Sequence, residues 1–165
     1  MDFFNQTGKL AIGSRLRMLT DKITVDAAAI YKMFGVDLKP KWFPVFFVLS
    51  RGEAKTITSI AKEIGHSHPS VSNIIKEMVA KGLVKETKDK SDGRRNMVML
   101  SAKGKRMSDS FSEQCIDVTA AIEQITQQTR NDLWEAIEEW ENLLLDKSLL
   151  ERVKEAKKER ESKDI

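Results

Sequence analysis

The chain has 165 residues, a formal net charge of +3 and one cysteine. This length predicts one domain, or a small domain with long helical extensions, and 41% hydrophobic residues suffice for a packed core. One cysteine excludes a disulfide framework and a cysteine-based structural zinc site. The longest apolar run, residues 42–49, is far shorter than a membrane helix, and no export signal is visible, so we expect a cytoplasmic protein with no membrane partner.

Charge is unevenly distributed along the chain. Residues 55–106 contain 12 Lys/Arg and 5 Asp/Glu, whereas residues 107–165 contain 8 and 15. A basic segment beside an acidic one is typical of a nucleic-acid-binding surface on a larger scaffold. A solvated basic face is the alternative, and composition alone does not distinguish the two.

Three helices are predicted before residue 65. The first ends near Gly35, and Pro40 begins a second, short and apolar, that continues to about Ser50. Thr58 is the candidate N-cap of the third helix, and Gly65 ends it. Apolar residues at three- and four-residue steps define the first helix, namely Leu16, Leu19, Ile23, Ala27, Ile30 and Phe34, and the third, namely Ile57, Ile60, Ala61 and Ile64.

A fourth helix follows the turn at residues 65–68, with Pro69 at its first position and Gly82 after its end. Its two faces differ in polarity, as expected for a helix packed on a core. The apolar face contains Val71, Ile74, Ile75, Met78 and Val79. The opposite face contains Ser70, Ser72, Asn73, Lys76 and Glu77.

The periodicity then changes to that of a hairpin. Residues 83–88 and 96–100 are predicted strands, joined by the polar loop 89–95. Apolar stripes within residues 107–125 and 133–144 predict two further helices. Residues 146–165 contain seven basic and six acidic residues and are predicted to form a solvated helical tail or a linker.

The third and fourth predicted helices, joined by a tight turn and followed by the hairpin, have the order of a winged helix-turn-helix. A helix pair alone is common in helical proteins, and a basic hairpin alone is usually just solvated. Together, within one basic segment, they favour DNA binding. Short polar and amide side chains near a helix N-terminus suit the major groove, and that N-terminus offers N–H groups to a phosphate. Arginines on a protruding loop suit the minor groove.

Over about residues 10–150 the sequence resembles the MarR family of transcriptional regulators (multiple antibiotic resistance regulators). Residues 57–65, 70–76 and 81–84 carry the resemblance. The most specific part is residues 89–95 followed by 98–104, which resemble the family's wing signature of spaced Asp and Arg residues, a strand and a Ser-x-x-Gly helix start.

The resemblance implies a mostly α fold with a minor β part. A winged helix-turn-helix lobe would span residues 40–106. N- and C-terminal helices, residues 1–36 and 107–150, would form a dimerisation lobe, and residues 151–165 would be a charged tail or linker. The family also implies a homodimeric repressor that binds a palindromic operator in double-stranded DNA and is released by a small-molecule effector, which in MarR relatives is often an aromatic acid. Family members sometimes bind zinc, but their ligands have no match in this sequence, and we predict no cofactor.

Site residues follow by matching this sequence to the family pattern. Asp92 would brace the wing by an ion pair, and Arg94 or Arg95 would contact DNA at its tip. Many family members have Arg where Asn73 stands. Because Asn pairs best with adenine and Arg with guanine, the operator sequence cannot be borrowed. The full predicted DNA-binding set is Ser67, His68, Ser70, Ser72, Asn73, Lys76, Lys88, Lys90, Arg94 and Arg95.

The resemblance implies an effector pocket where the first helix, the second helix and the DNA lobe should meet, because MarR relatives often bind small aromatic acids at that junction. Its candidate residues are Tyr31, Trp42, Phe43 and Phe46. Aromatic residues on a short apolar helix usually belong to the core. We therefore expect Phe46 to be core, and Tyr31 and Trp42 remain open between core and pocket.

Other functions find little support in the sequence. There is no Gly-rich phosphate loop and no Gly-x-Ser-x-Gly motif, so we do not expect an enzyme. His66 and His68 flank Ser67 without a third ligand, so we predict no metal site. Cys115 lies on an apolar stripe and is expected to be a buried, inert thiol rather than a redox sensor. The alternative function is a winged-helix module that binds nucleic acid or protein without promoter-specific regulation, or the regulatory part of a longer chain.

Overall fold

Helices account for most of this computed structural model, which describes residues 2–88 and 96–163. The chain divides into two compact units, Met1–Ile116 and Asp117–Ile165. The elements in chain order are α1 (Asp2–Thr7), α2 (Ile12–Met33), α3 (Phe43–Ser50), α4 (Ile57–Glu63), α5 (His68–Ala80), β1 (Val84–Lys88), β2 (Asn96–Leu100), α6 (Ala102–Gln128), α7 (Leu133–Asp146) and α8 (Leu149–Lys163), with 3-10 turns at Gly8–Ala11 and Pro40–Trp42.

The predicted fold class, a mostly α winged helix-turn-helix, is confirmed. Its core lies among α3, α4, α5 and the two strands, and the end of α2 and part of α6 contribute to it. Apolar side chains at the predicted helical spacings meet there, because burying one stripe from each helix is what holds short helices together. The most completely buried large side chains are Trp42, Phe46, Phe111, Leu49, Ile60, Ile75, Met78 and Leu83.

The two strands form an antiparallel hairpin. Val84 pairs with Leu100 and Lys88 pairs with Asn96, so the register places Val98 and Leu100 in the core. Lys55, in the loop before α4, extends this sheet: its N–H and C=O bond to the C=O and N–H of Val98 at 2.9 and 2.8 Å. This pairing ties the wing to the start of the helix-turn-helix.

Helix α4 begins two residues earlier than the sequence indicated. Thr56, not Thr58, is its N-cap: Thr56 has an extended backbone, and its hydroxyl accepts a hydrogen bond from the Ser59 N–H at 3.1 Å. The predicted cap was wrong because both threonines precede a similar apolar pattern. Ile57 takes the first helical position and is half-buried, which leaves Thr58 exposed inside the helix.

The remaining differences at the helices are small. Helix α5 starts at His68, so Pro69 is its second residue rather than its first. Val79, predicted on the buried face, is 40% exposed because it lies at the edge of the apolar stripe. The helix expected from Pro40 to Ser50 is divided into a 3-10 turn and α3.

The junction between the wing and α6 depends on Ser101 and Gly104. The Ser101 hydroxyl donates to the Gly82 carbonyl at 2.5 Å and accepts from the Gly104 N–H at 3.1 Å, which caps α6. A β-carbon on Gly104 would overlap the Leu83 carbonyl oxygen, at well under 3.0 Å. The predicted Ser-x-x-Gly helix start therefore permits close approach of α6 to the first residues of the wing.

The second unit contains α7 and α8. The Asp132 carboxylate caps α7 by accepting from the N–H groups of Trp134 and Glu135. Ser148 and Glu151 form a reciprocal capping box at the start of α8. The predicted charged tail is thus helical through Lys163. Within the part of the chain that the structure describes, no helix is long and apolar enough to cross a membrane.

Candidate nucleic-acid interface

Helix α5 presents the polar face that the sequence predicted for DNA recognition. Val71, Ile74, Ile75 and Met78 are buried beneath it and fix its orientation on the lobe. The Ser67 hydroxyl accepts from the Ser70 N–H at 3.4 Å as the N-cap. Ser67 thus has a local structural partner in addition to its predicted role toward DNA.

The predicted contact residues of α5 lie together on its surface. His68, Ser70, Asn73 and Lys76 are exposed, whereas Ser72 is half-buried at the edge of this face. Because the four apolar residues occupy the opposite side, these side chains lie on the broad solvent-facing side of α5. The face is short and carries one formal positive charge at Lys76, so it suits the edges of base pairs in the major groove.

A groove of about 310 Å³ runs along one flank of α5. Its polar lining comes from Lys41 in the 3-10 turn, from His66 in the turn before α5, and from Ser70 and Asn73. Two prolines, Pro40 and Pro44, complete the outer wall together with Ile74 and Glu77. The predicted recognition residues therefore adjoin a lysine, Lys41, that was not predicted to contact DNA.

Glu77 organises this flank and was not among the predicted DNA-contacting residues. Its carboxylate accepts hydrogen bonds from Lys41 Nζ at 2.6 Å, Trp42 Nε1 at 3.0 Å and Lys39 Nζ at 3.3 Å. The bond from Lys41, followed by that from Trp42, lowers the pKa of Glu77 to about 2. The three donors are 35 to 38 residues away in sequence, so no local pattern indicated the cluster.

The wing carries Lys88 at the end of β1, where its side chain is exposed. Its predicted position beside the hairpin loop is therefore observed. Lys90, Arg94, Arg95 and the bracing Asp92 lie outside the described residues. Their predicted roles remain expectations.

The four candidate effector residues do not share one environment. Three of them, Tyr31, Trp42 and Phe46, are buried in the core. The Trp42 indole N–H donates a hydrogen bond to the Glu77 carboxylate. Phe43 is 40% exposed, and the centre of its ring lies 5.7 Å from that of Phe47, with the two ring planes tilted by 33°. Tyr31 also lines a separate open cavity of about 350 Å³ with residues 35–38, and burial raises the pKa of its phenol to about 12.

The two histidines lie at the surface, and the cysteine lies at the margin of the core. His66 and His68 are both exposed, and among residues 2–88 and 96–163 no group of three His, Cys, Asp or Glu side chains is placed to hold a metal ion. Cys115 is half-buried rather than fully buried, because it lies at the margin of the core. Its burial raises the pKa of the thiol, which disfavours the reactive thiolate.

Helices α4 and α5 with the hairpin form a winged helix-turn-helix. The sequence model of the MarR family matches residues 36–95, a range that includes α3, α4, α5 and β1. The predicted resemblance to MarR-family transcriptional regulators is thereby confirmed. No curated protein sequence matches the chain.

Solved structures of MarR-type regulators share the fold. AbfR bound to DNA has a TM-score of 0.64 and 17% identity, with 88% of this chain and 98% of that chain covered. The repressor CouR bound to a 23-mer DNA duplex has a TM-score of 0.62 and 20% identity, with 84% and 96% covered. PcaV from Streptomyces coelicolor, in complex with its natural ligand, has a TM-score of 0.61 and 13% identity, with 82% and 92% covered.

Proposed function

We propose that this chain is a sequence-specific transcriptional regulator of the MarR type and not an enzyme. It acts as a homodimeric repressor on a palindromic operator. The observation that carries this proposal is the polar face of α5, fixed by four buried apolar residues and presenting Ser70, Asn73 and Lys76 to solvent. AbfR and CouR, which have the same fold, were both solved with DNA bound.

The division of labour on DNA follows from side-chain chemistry. Asn73 has both a donor and an acceptor at its amide, so it can contact an adenine edge with two hydrogen bonds. Lys76 and Lys88 are point charges that suit phosphates. Arg94 and Arg95 in the wing loop serve the minor groove, where a narrow groove concentrates negative potential.

Exposed apolar side chains on the terminal helices support a homodimer. Leu16, Leu19 and Ile23 on α2 are each at least 40% exposed, although they form one stripe. In α7 the stripe of Leu133, Ile137, Trp140 and Leu144 is likewise exposed. Monomeric proteins rarely leave contiguous stripes of this kind in water. Covering them with the same helices of a second copy also generates the two-fold symmetry that a palindrome requires.

Release by a small molecule is the further part of the proposal. The cavity beside Tyr31 opens at the end of α2, next to the segment that leads into the winged lobe. PcaV, of the same fold, was solved with its natural ligand.

Selection of bound fragments from genomic DNA tests the function most directly. We expect the selected fragments to share an inverted repeat whose half-sites are about one helical turn apart. Quantitative binding to that repeat and to a scrambled duplex of equal length then measures the specificity ratio. Small aromatic acids added to the preformed complex test release.

Two results would redirect the proposal. One is that the selected fragments share no sequence and bind no more tightly than the scrambled duplex. That result would identify a winged-helix module that binds nucleic acid without promoter specificity. Specific binding that no aromatic acid releases would leave the regulator intact and remove the effector.

A further inference from the structure

The Glu77 cluster on the flank of α5 is the feature that the predicted DNA contacts do not include. Lys39 and Lys41, the lysine pair, both reach the Glu77 carboxylate. The cluster has two ammonium groups and one carboxylate, so it retains one positive charge. The side chains of the lysine pair are 55% and 56% exposed, which leaves their remaining N–H donors open to an external anion.

The lysine pair is held in place more firmly than ordinary surface lysines. Lys41 and Lys39 share one acceptor on α5, and the Lys39 ammonium also lies 5.0 Å from the centre of the Trp42 ring. Trp42 is itself buried, and its indole N–H donates a hydrogen bond to Glu77. An anion that binds here therefore meets side chains whose rotamers are already restricted, which reduces the entropy cost of binding.

The location of the lysine pair matches that of a DNA strand beside an inserted helix. Glu77 follows Asn73 by four residues and Ser70 by seven, so the cluster lies on the same side of α5 as these two residues, one to two helical turns further along. The groove between Lys41 and Asn73 joins the two. The major groove is about 12 Å wide, so a helix lying in it has a phosphate backbone along each flank.

We propose that Lys39 and Lys41 bind phosphates of the DNA strand that borders α5, and that Glu77 positions them for this role. The inference rests on the proposed function, since it requires α5 to lie in the major groove. It adds a second set of backbone contacts, on the helix flank, to those expected from the wing. These contacts fix the register of Asn73 on the duplex without reading sequence themselves.

Glu77 has a defined part in this arrangement. Its carboxylate keeps the two ammonium groups beside the helix, but it also repels the approaching phosphates. Glu77→Gln retains an acceptor for Trp42 and removes the negative charge. We therefore expect Glu77→Gln to bind DNA at least as tightly as the wild type, with any gain present on both operator and scrambled duplex because phosphate contacts ignore sequence.

The test compares Lys39→Gln, Lys41→Gln and the double variant with Lys22→Gln, which removes an exposed lysine of α2. Binding of the operator and of a scrambled duplex is measured over a salt series. We expect each variant of the lysine pair to weaken both by several-fold. The log–log salt slope should fall by about 0.9 for each phosphate that a subunit no longer neutralises. Lys22→Gln should change neither quantity.

Three outcomes distinguish a failure of the phosphate contacts from a failure of the proposed function. If the lysine variants keep the affinity and slope of Lys22→Gln while the wild type binds its operator, the flank contact is wrong and the proposed function stands. If the wild type does not distinguish operator from scrambled duplex, the proposed function fails first. If Glu77→Gln weakens binding as much as the lysine variants do, at unchanged salt slope, the cluster braces α5 and does not touch phosphates.

Discussion

Asn73 is the side chain that we propose to contact base edges. It is exposed on α5, three residues after Ser70, on a helix whose Ile74 and Met78 are buried. An exposed amide on a helix that is fixed from below can be aimed at a base edge without rearrangement of the core. Selectivity at one or two operator positions should therefore depend on this single residue.

We predict that Asn73→Ala relaxes base preference at specific operator positions by ~1–3 kcal/mol, the discrimination of a good bidentate contact. Affinities for the operator and for each of its point variants provide the measurement. The melting temperature should stay close to that of the wild type, because the side chain is exposed. Unchanged relative affinities across the whole variant set would show that Asn73 does not contact bases.

Gly104 is the residue at which packing is tightest among the described glycines. A β-carbon there would overlap the backbone oxygen of Leu83, and backbone cannot move aside as a flexible side chain can. We predict that Gly104→Ala destabilises the fold by roughly 1–3 kcal/mol, as overpacking typically does. Chemical denaturation measures the change.

Gly13→Ala is the matched control for Gly104→Ala. Gly13 is also helical, in the first turn of α2, and a β-carbon there would meet nothing within 4 Å. The substitution should leave stability unchanged or raise it slightly, since alanine favours helix. Equal effects of the two substitutions would mean that the α6 junction tolerates a side chain and that Ser101 alone defines it.

At the scale of elements, the start of α4 gives a test of the observed cap against the predicted one. Thr56→Ala removes the acceptor of the Ser59 N–H and should cost about 1 kcal/mol of unfolding free energy. Thr58→Ala changes the same residue type two positions later, where the side chain is exposed inside the helix, and should have little effect. A larger loss of stability for Thr58→Ala would restore the cap predicted from the sequence.

The wing is the second element for which we propose a role on DNA. We predict that Arg94→Ala and Arg95→Ala each weaken operator binding several-fold, and that at least one flattens the salt slope by roughly 0.9 per phosphate and per subunit. Removal of a minor-groove arginine should act broadly across sequences, with a mild dependence on A·T content. Titrations of both variants across a salt series measure affinity and slope together.

The outcome for the wing variants also depends on folding. If both variants keep the operator affinity and the salt slope of the wild type, neither arginine contacts DNA and the loop only connects the two strands. A variant that fails to melt cooperatively would show instead that its arginine is structural. Lys88→Gln, at the end of β1, supplies a comparison within the described part of the same hairpin.

At the scale of the whole molecule, assembly is the property to test. Exposed apolar stripes on α2 and α7 each resemble half of an interface. We predict a dimer at micromolar concentration, measured by light scattering. Ile23→Glu and Trp140→Glu should shift the mass toward the monomer, whereas Lys22→Gln should not. A wild-type monomer that persists at high concentration would contradict the prediction.

Much of the fold could be predicted from the sequence because its signals are local. Apolar spacing located α2 through α7, the change of period located the hairpin, and Gly65 and Gly82, both with positive φ, ended their helices as expected. The polar face of α5 followed from the same periodicity, since burying one stripe leaves the opposite one exposed. Residue type and spacing thus sufficed for the elements, for the candidate recognition helix and for the family resemblance.

Tertiary structure decided which side chains meet across long stretches of chain. Glu77 was one more polar residue on α5 until folding brought Lys39, Lys41 and Trp42 to its carboxylate. Ser101 and Gly104 formed a recognisable pattern, but their contacts with Gly82 and Leu83 exist only once α6 crosses the start of the wing. Periodicity encodes which face of an element is buried and carries no information on its neighbour, so the lysine pair on the flank of α5 became visible only in the folded chain.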